Sequence, residues 1–203
     1  MHNKHGNTSI IFEAISIYRD LENCNILRTM RIIMVELVMN LNERRFIIDL
    51  HAPASPYLVV EFIKVVSSFI HRESITPVIT RPTGLAAQSG VPEAWRIAYK
   101  NNIPMIVLPD IKDVIEIYKP DEIVIFQRTE ESKPIEESLE LLNKRSILVV
   151  IPSGEQALTK EEQILGKKIH SRTLTRDTNP LTILGIILVL IGEEGKLFKE
   201  TIR

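Results

Sequence analysis

The regular exchange of short, mostly apolar runs with helix-length segments constrains this chain more than any other feature. From Phe46 onward each run is followed by a segment with apolar residues at helical spacing, as in Val59, Phe62 and Val66. This alternation predicts an α/β fold, a parallel sheet with helices on both faces. The predicted strands are Phe46–Leu50, Ile75–Thr80, Met105–Leu108, Ile123–Phe126 and Ile147–Ile151, and the predicted helices are 56–70, 92–101, 111–118 and 134–143.

The stretch from Ile147 to Ile191 carries the most local signals. The strand Ile147–Ile151 stops at the glycine turn Pro152–Glu155, and Thr159 with Glu162 three residues later fits a helix capping box. A short strand over Lys168–His170 and a polar loop follow. Asn179-Pro180 then opens a final helix, Leu181–Ile191, that is apolar on almost every side and ends at Gly192–Gly195.

This order of elements resembles the C-terminal half of the SPOUT, or alpha/beta-knot, RNA methyltransferases. The segment Gly84–Pro92 is similar to one in archaeal SpoU-like members of unassigned substrate. The resemblance implies a C-terminal trefoil knot, a homodimer packed through the final helix, and an S-adenosylmethionine-dependent RNA methyltransferase acting on tRNA or rRNA. It divides the chain into an N-terminal extension, residues 1–45, and a methyltransferase-like domain, residues 46–203.

The resemblance also implies which loops bind the cofactor. In open parallel sheets, ligands bind outside the carboxyl ends of the strands. Apolar residues there would form a slot for the adenine ring, and the small residues Ser153 and Gly154 would allow close approach, with Gly154 at a positive φ. The predicted cofactor-binding residues are Phe126, Gln127, Ile151, Pro152, Ser153, Gly154, Glu155, Leu174 and Thr178.

The loop Arg81–Gly90 supplies the predicted catalytic residues. It is long for a strand-to-helix connection, and long structured loops often carry function. Arg81 would pair with an RNA phosphate or a substrate oxygen, and Gln88 would hydrogen-bond a base edge. A solvated arginine and a loop-bracing amide are the alternative interpretations.

One departure from the SpoU pattern bears on the mechanism. The Asn and Arg that ribose methyltransferases carry in the first strand-to-helix loop are absent from His51–Leu58. This disfavours 2′-O transfer and leaves a base methyltransferase or an inactive binder open. His51 has a side chain suited to act as a base, although a lone histidine at a strand end is more often structural.

Two other classes of function remain open. A Mg²⁺-dependent nuclease of the PD…(D/E)xK kind is imitated by Asp110 or Asp121 with Glu131 and Lys133, but Lys133 is predicted in a loop. A dimeric module that binds RNA or protein without catalysis is the other alternative.

Composition narrows these possibilities only slightly. The net charge of −1, from 25 basic and 26 acidic residues, predicts that any RNA contact is local. The single cysteine, Cys24, excludes an internal disulfide, and the histidines show no metal-ligand spacing. With no apolar run of about 20 residues and no signal-peptide pattern, we expect a cytoplasmic protein.

Overall fold

The structure is a computed structural model, and it describes residues 45–70, 72–138, 140, 144–176 and 178–201. The predicted N-terminal extension, apart from Arg45, lies outside the described residues. The division of the chain near residue 45 therefore stays a prediction.

The described residues form a parallel sheet of seven strands. Along the sheet the strands follow the order β3-β2-β1-β6-β4-β7-β5, so β1 is paired on both of its edges. The strands are β1 (Arg45–His51), β2 (Ile75–Thr80), β3 (Ile106–Leu108), β4 (Glu122–Phe126), β5 (Lys133–Pro134), β6 (Ser146–Pro152) and β7 (Lys167–His170).

Helices connect most of these strands and begin where the sequence predicts. Ser55 caps the first helix, Asp110 caps the third, and both partners of the Thr159–Glu162 capping box are present at the fourth. The helices are α1 (Pro56–Ser68), α2 (Val91–Lys100), α3 (Ile111–Tyr118), α4 (Lys160–Gln163) and α5 (Pro180–Thr201).

The sheet is covered on both faces, which confirms the predicted fold class. On one face Ile48 and Leu50 of β1 pack in a core that includes apolar residues of α1, α2 and α5. On the other face Ile47 packs with Val78, Leu148 and residues of α3. Strands that are buried on both faces need apolar side chains at most positions. The sequences of these strands are therefore nearly continuous apolar runs. The trefoil knot stays a prediction.

Several predicted boundaries were wrong. The loop Arg81–Gly90 is partly helical, because Ala86–Gly90 forms a π-helical turn that runs into α2. Lys133 begins β5, and a 3₁₀ turn, Ile135–Glu137, stands where the start of a longer helix was predicted. The final helix continues through Gly192 to Thr201. A glycine inside a helix costs only about 1 kcal/mol, and that cost did not end this helix.

Packing within one chain explains most of the apolar surface of the final helix. Ile183, Leu184, Ile187, Leu188 and Ile191 are buried in the core that α1 also lines. The apolar character of α5 therefore does not require a partner subunit, and the homodimer stays a proposal. No helix in the described part of the chain is long and apolar enough to cross a membrane.

Gly90 fixes the contact between the first two helices. A Cβ atom built on Gly90 would lie 2.7 Å from the Cα of Pro56, which is backbone and cannot rotate away. We expect Gly90→Ala to lower the free energy of unfolding by about 1–3 kcal/mol, as overpacked sites do. Urea unfolding measures this change.

Gly185 in α5 is the matched control, because a Cβ there meets nothing within 4 Å. Gly185→Ala should raise the free energy of unfolding by up to about 1 kcal/mol through helix propensity. Equal effects of the two substitutions would contradict the packing assignment at Gly90.

Candidate functional site

Polar side chains gather where β1 and β2 end at the carboxyl edge of the sheet. His51 and Thr80 are the last residues of these strands and are register partners. Asp49 lies two residues before His51, so both side chains point to the same face of the sheet. All three residues are buried, with at most 1% of their surface exposed.

A chain of hydrogen bonds joins these three side chains. The Thr80 hydroxyl lies 2.8 Å from Asp49 Oδ2 and 2.8 Å from His51 Nδ1. The second ring nitrogen of His51, Nε2, lies 3.5 Å from Glu162 Oε1. Among the described residues, neither Asp49 Oδ1 nor His51 Nε2 has a hydrogen-bond partner. A buried carboxylate with an unpaired oxygen is costly, which favours the protonated acid.

Arg81 closes the outer side of this cluster. One terminal nitrogen of Arg81, Nη2, contacts both Asp110 Oδ2 at 2.8 Å and Glu162 Oε1. The side chains of Arg81 and Asp110 are about one third exposed (32% and 34%), whereas that of Glu162 is 3% exposed. The arginine and Asp110 therefore form the solvent-facing mouth, and Glu162 forms the floor.

The backbone at the two strand ends is in an uncommon conformation. Ala52 follows β1 with φ of 52°, and Arg81 follows β2 with φ of 47°. Residues other than glycine rarely adopt this left-handed region. The Ala52 N–H donates to Thr80 O, and the Arg81 N–H donates to Leu108 O, and these bonds hold the two turns. Such backbone outliers cluster at functional sites, which is consistent with a site here.

Burial and charge set the protonation of the cluster. Burial raises the pKa of Asp49 to about 8, partly offset by the hydrogen bond from Thr80. Burial also lowers the pKa of His51, so the ring is neutral at neutral pH. Burial raises the pKa of Glu162, but hydrogen bonds from Thr159 and the charges around it outweigh burial and leave the pKa below its usual range.

Ser153 and Glu155, predicted to bind cofactor, brace the start of α1. The Ser153 hydroxyl donates to Ala52 O at 2.8 Å. Glu155 Oε2 accepts from the backbone N–H groups of Ala54 and Ser55, at 2.6 and 3.1 Å. A carboxylate is favourable at a helix N-terminus, where the unpaired N–H groups carry positive partial charge.

A second polar group surrounds the loop after β4. The terminal nitrogen Nη2 of Arg128 donates to Ser171 O at 2.6 Å and to Leu174 O, and so ties this loop to the loop after β7. Gln127 Oε1 is buried without a hydrogen-bond partner among the described residues. Gly154, two residues after the end of β6, has the predicted positive φ, 80°. A Cβ atom built on Gly154 would meet no atom within 4 Å.

The remaining predicted site residues divide between core and surface. Phe126 and Ile151 are buried in the apolar core, and Pro152 ends β6 half-buried. Gln88 and Thr178 are exposed. The structure thus brings Arg81 into a cluster but leaves Gln88 outside it.

The PD…(D/E)xK motif is not assembled. Asp110 follows β3, whereas Glu131 and Lys133 lie at β5, on the opposite edge of the sheet. Six strand spacings separate the two edges, roughly 29 Å. Asp121 lies just before β4 and accepts from the N–H of Ser146, whereas Lys133 is level with Phe126 at the far end of β4, about five residues or roughly 17 Å along the strand.

A divalent cation does not fit the Arg81 cluster in this arrangement. The guanidinium nitrogen that contacts both Asp110 and Glu162 occupies the position between their oxygens that a cation would take. Across the described ranges, no group of three or more His, Cys, Asp or Glu side chains is placed to hold a metal ion.

Sequence reasoning missed Asp49, Thr80 and Glu162 as members of a site. Asp49 carried a usable signal, because a carboxylate inside an otherwise apolar buried strand needs a local explanation. Glu162 was assigned only to the capping box. Its Oε2 does accept from the Thr159 N–H at 2.7 Å, but its other oxygen contacts Arg81.

Comparison with known sequences assigns the chain to a family. The sequence model of the family described as RecB-family nuclease (DUF2122) matches residues 84–190, more than half of the chain. A protein of Aeropyrum pernix named "Putative type II restriction enzyme" is 30% identical over 121 residues, 59% of this chain and 77% of that protein. One of the same kind from Methanocaldococcus jannaschii is 32% identical over 82 residues, 40% of this chain and 54% of that protein. This chain therefore belongs to the DUF2122, RecB-family nuclease, family.

Comparison with solved structures gives a different neighbourhood. The SpoU methyltransferase AviRb from Streptomyces viridochromogenes, solved with AdoMet, matches 75% of this chain and 61% of its own, with a TM-score of 0.57 and 10% identity. A structure described as "Structural insights into the 2-OH methylation of C/U34 on tRNA" matches 75% of this chain and 97% of its own, with a TM-score of 0.59 and 11% identity. At these identities the likeness shows the fold alone.

The predicted function, an S-adenosylmethionine-dependent RNA methyltransferase, is corrected by the family assignment. The sequence features behind it were an apolar strand, a glycine turn, a capping box and an apolar final helix, and all of them are present. These features specify a fold, and one fold hosts unrelated activities. The resemblance was therefore right about architecture and wrong about the family's activity.

Asp49 should make the stability of the protein depend on pH. Its pKa of about 8 in the folded protein exceeds the ordinary 3.8, so between these values the folded state holds a proton that the unfolded state has lost. The free energy of unfolding therefore falls as pH rises through this window, by up to about 1.4 kcal/mol per pH unit. Asp49→Asn removes this contribution.

Urea unfolding of both proteins at several pH values measures it. The difference, wild type minus Asp49→Asn, should decline from about pH 4 to about pH 8 and be flat above. Parallel curves for the two proteins would show that Asp49 is ionised in the fold.

Proposed function

We propose that this chain is a nuclease that hydrolyses phosphodiester bonds of nucleic acid at the cluster of Arg81, Asp110, Glu162 and His51. Membership of a family described as RecB-family nuclease supports the activity. The observation that supports the location is the partly exposed arginine held over two carboxylates at the carboxyl edge of the sheet.

Arg81 has the chemistry to bind the scissile phosphate. Its hydrogen bond to Asp110 raises the pKa of the guanidinium, so the side chain is charged at any working pH. Both of its carboxylate contacts use the single nitrogen Nη2. A guanidinium has five N–H donors in a planar fork, and the remaining donors match two phosphate oxygens. Fixed hydrogen-bond donors that face the negative charge developing in the transition state commonly make the largest single contribution to rate acceleration.

Hydrolysis also needs an acceptor for the proton of the attacking water. Water oxygen adds to phosphorus and gives up a proton, the bond to one ester oxygen breaks, and that oxygen takes a proton from solvent and leaves as an alcohol. Asp110 is ionised and one third exposed beside Arg81, so it is placed to orient that water and accept its proton. Glu162 is buried and acts by holding the guanidinium in position.

The proposed hydrolysis uses no metal ion, because the Arg81 guanidinium occupies the position between the Asp110 and Glu162 carboxylates. A substrate phosphate that drew the arginine outward would change this arrangement. The cleavage assay is therefore run with Mg²⁺ and, separately, with a chelator.

The substrates for the cleavage assay are chosen from the names of the relatives and of the structural neighbours. Type II restriction enzymes are the named relatives, so supercoiled plasmid DNA is the first substrate. Structural neighbours described as RNA methyltransferases make structured RNA the second. Arg81→Ala should reduce cleavage by about 100-fold or more, the cost of losing one charge-stabilising donor. Arg81→Lys should recover only part, because a lysine lacks the planar fork.

Arg96 on α2 provides the control. It is also an arginine paired with a carboxylate, Glu93, but it is exposed and lies outside the cluster. Arg96→Ala should change cleavage by less than about twofold, in keeping with the small effect of surface ion pairs. Equal loss in both variants, or no cleavage of either nucleic acid by the wild type with or without Mg²⁺, would overturn the proposed function.

We also propose that the loops after β4 and β6 bind an adenosine-type ligand such as S-adenosylmethionine. The shared fold with AdoMet-bound AviRb supports this, although it implies no methyl transfer. The buried, unpaired Oε1 of Gln127 is an acceptor suited to the amino group of adenine, and open space adjoins Gly154.

Titration calorimetry with S-adenosylmethionine tests this second proposal. Gly154→Val should abolish binding, because the side chain fills the open space beside the ligand. Gly84→Val is the matched control, since Gly84 also has a positive φ and open space around its Cβ. Each substitution carries a similar backbone penalty of about 1–3 kcal/mol. Loss of binding in both variants, or none in the wild type, would count against the ligand site.

A further inference from the structure

The hydrogen-bond chain from Asp49 to His51 has only two self-consistent directions. The Thr80 hydroxyl has one proton, so it donates to one neighbour and accepts from the other. If Asp49 is ionised, Thr80 donates to Asp49 Oδ2 and accepts from His51 Nδ1–H. If Asp49 is protonated, it donates to Thr80, and Thr80 then donates to a bare His51 Nδ1.

The direction of the hydrogen-bond chain decides whether the His51 nitrogen that faces Glu162 carries a proton. A neutral imidazole carries one N–H. With Asp49 protonated, that N–H is on Nε2 and points at Glu162 Oε1, 3.5 Å away. With Asp49 ionised, the N–H is on Nδ1, and an unprotonated Nε2 faces the carboxylate.

We propose that Asp49 and Thr80 form a proton relay that sets the tautomer of His51 and thereby whether an N–H or a bare nitrogen faces Glu162. Asp49 and Thr80 are positioning residues, because they act on the site through His51. The relay itself stands on the geometry of the buried cluster, and only its effect on catalysis rests on the proposed nuclease function.

The relay conserves protons. When the cluster loses one proton, Asp49 passes its proton to Thr80, and Thr80 passes its own to His51 Nδ1. The proton that leaves the cluster is the one on Nε2. Ionisation of the deeply buried Asp49 therefore removes the proton from His51 Nε2, the ring nitrogen that faces the site.

Charged groups from every neighbouring element face this relay. They are Glu162 of α4, Asp110 at the start of α3 and Arg81 after β2. The carboxylates oppose ionisation of Asp49. They also favour protonation of His51, but burial of the ring, with the Arg81 charge, outweighs them and lowers the His51 pKa. Burial is the largest cause at both groups, and it favours the arrangement with a neutral Asp49 and a neutral ring. In that arrangement the Nε2–H side of the ring faces Glu162 Oε1 from 3.5 Å, too far for a hydrogen bond but close enough to favour the carboxylate charge.

The change occurs within an accessible pH range. Burial places the pKa of Asp49 at about 8, whereas burial lowers the pKa of His51 from 6.5. Above the Asp49 pKa, a bare ring nitrogen of His51 faces the Glu162 carboxylate. The charge of Glu162 is then offset more by Arg81, so the guanidinium is held more tightly and is less available to a phosphate.

Nitrogen-15 NMR of the His51 ring tests the relay without any activity assay. A protonated ring nitrogen and a bare one differ in chemical shift and in their couplings to ring protons. The chain has five histidines, so the His51 signals are assigned by their loss in His51→Gln. Spectra are recorded about two pH units below and above the Asp49 pKa of about 8, where each form is about 99% populated.

We expect the proton on Nε2 at the lower pH and on Nδ1 at the higher pH. Asp49→Asn should keep it on Nε2 at both, because an amide N–H donates to Thr80 at every pH. Thr80→Ser should retain the switch, and Thr80→Val should remove it. Asp110→Asn is the electrostatic control, since Asp110 faces His51 without belonging to the hydrogen-bond chain, and it should retain the switch.

A proton on the same nitrogen at both pH values in the wild type would overturn the relay. So would a switch that survives in both Thr80→Val and Asp49→Asn. If the switch is seen but nucleic acid is not cleaved, the relay stands and the proposed nuclease function falls. If cleavage occurs, its decline above the Asp49 pKa should be absent in Asp49→Asn.

Discussion

The pairing of β1 on both of its edges is the constraint on which the rest of the structure depends. β2 and β6 align with β1 residue by residue, so the turns after all three strands open at the same level of the sheet. Both faces of β1 are buried, and the polar side chains of Asp49 and His51 therefore cannot reach water. They must find partners inside the protein, and the end of β2 supplies Thr80.

Glu162 connects this buried group to the surface. One of its oxygens completes a helix cap, and the other contacts Arg81 while facing His51. A residue that serves helix capping, burial and a guanidinium clamp has little freedom to move. The arginine is thereby presented at the mouth of the site by a floor that the fold itself holds rigid.

The chain joins a nuclease-family sequence to the fold of SpoU methyltransferases. There is no physical conflict in this, because the fold specifies where strand ends and loops meet, while activity depends on the side chains placed there. The pattern of the PD…(D/E)xK motif is present in the sequence, yet Asp110 lies at the opposite edge of the sheet from Lys133, and Asp121 lies at the opposite end of the strands. What does assemble is an arginine between two carboxylates.

The sequence by itself determined the layered α/β architecture, most strand positions and the helix caps. These depend on local periodicity and capping chemistry, so β2 falls on the predicted residues and the Thr159 capping box forms as expected. Ala86–Gly90 was misjudged, because its small residues suit a loop and a helix equally. Only the tertiary structure decided the site, since Asp49, Thr80, Arg81 and Glu162 are separated by up to 113 residues along the chain. Which of them meet depends on strand order, and strand order is set by packing across the whole sheet.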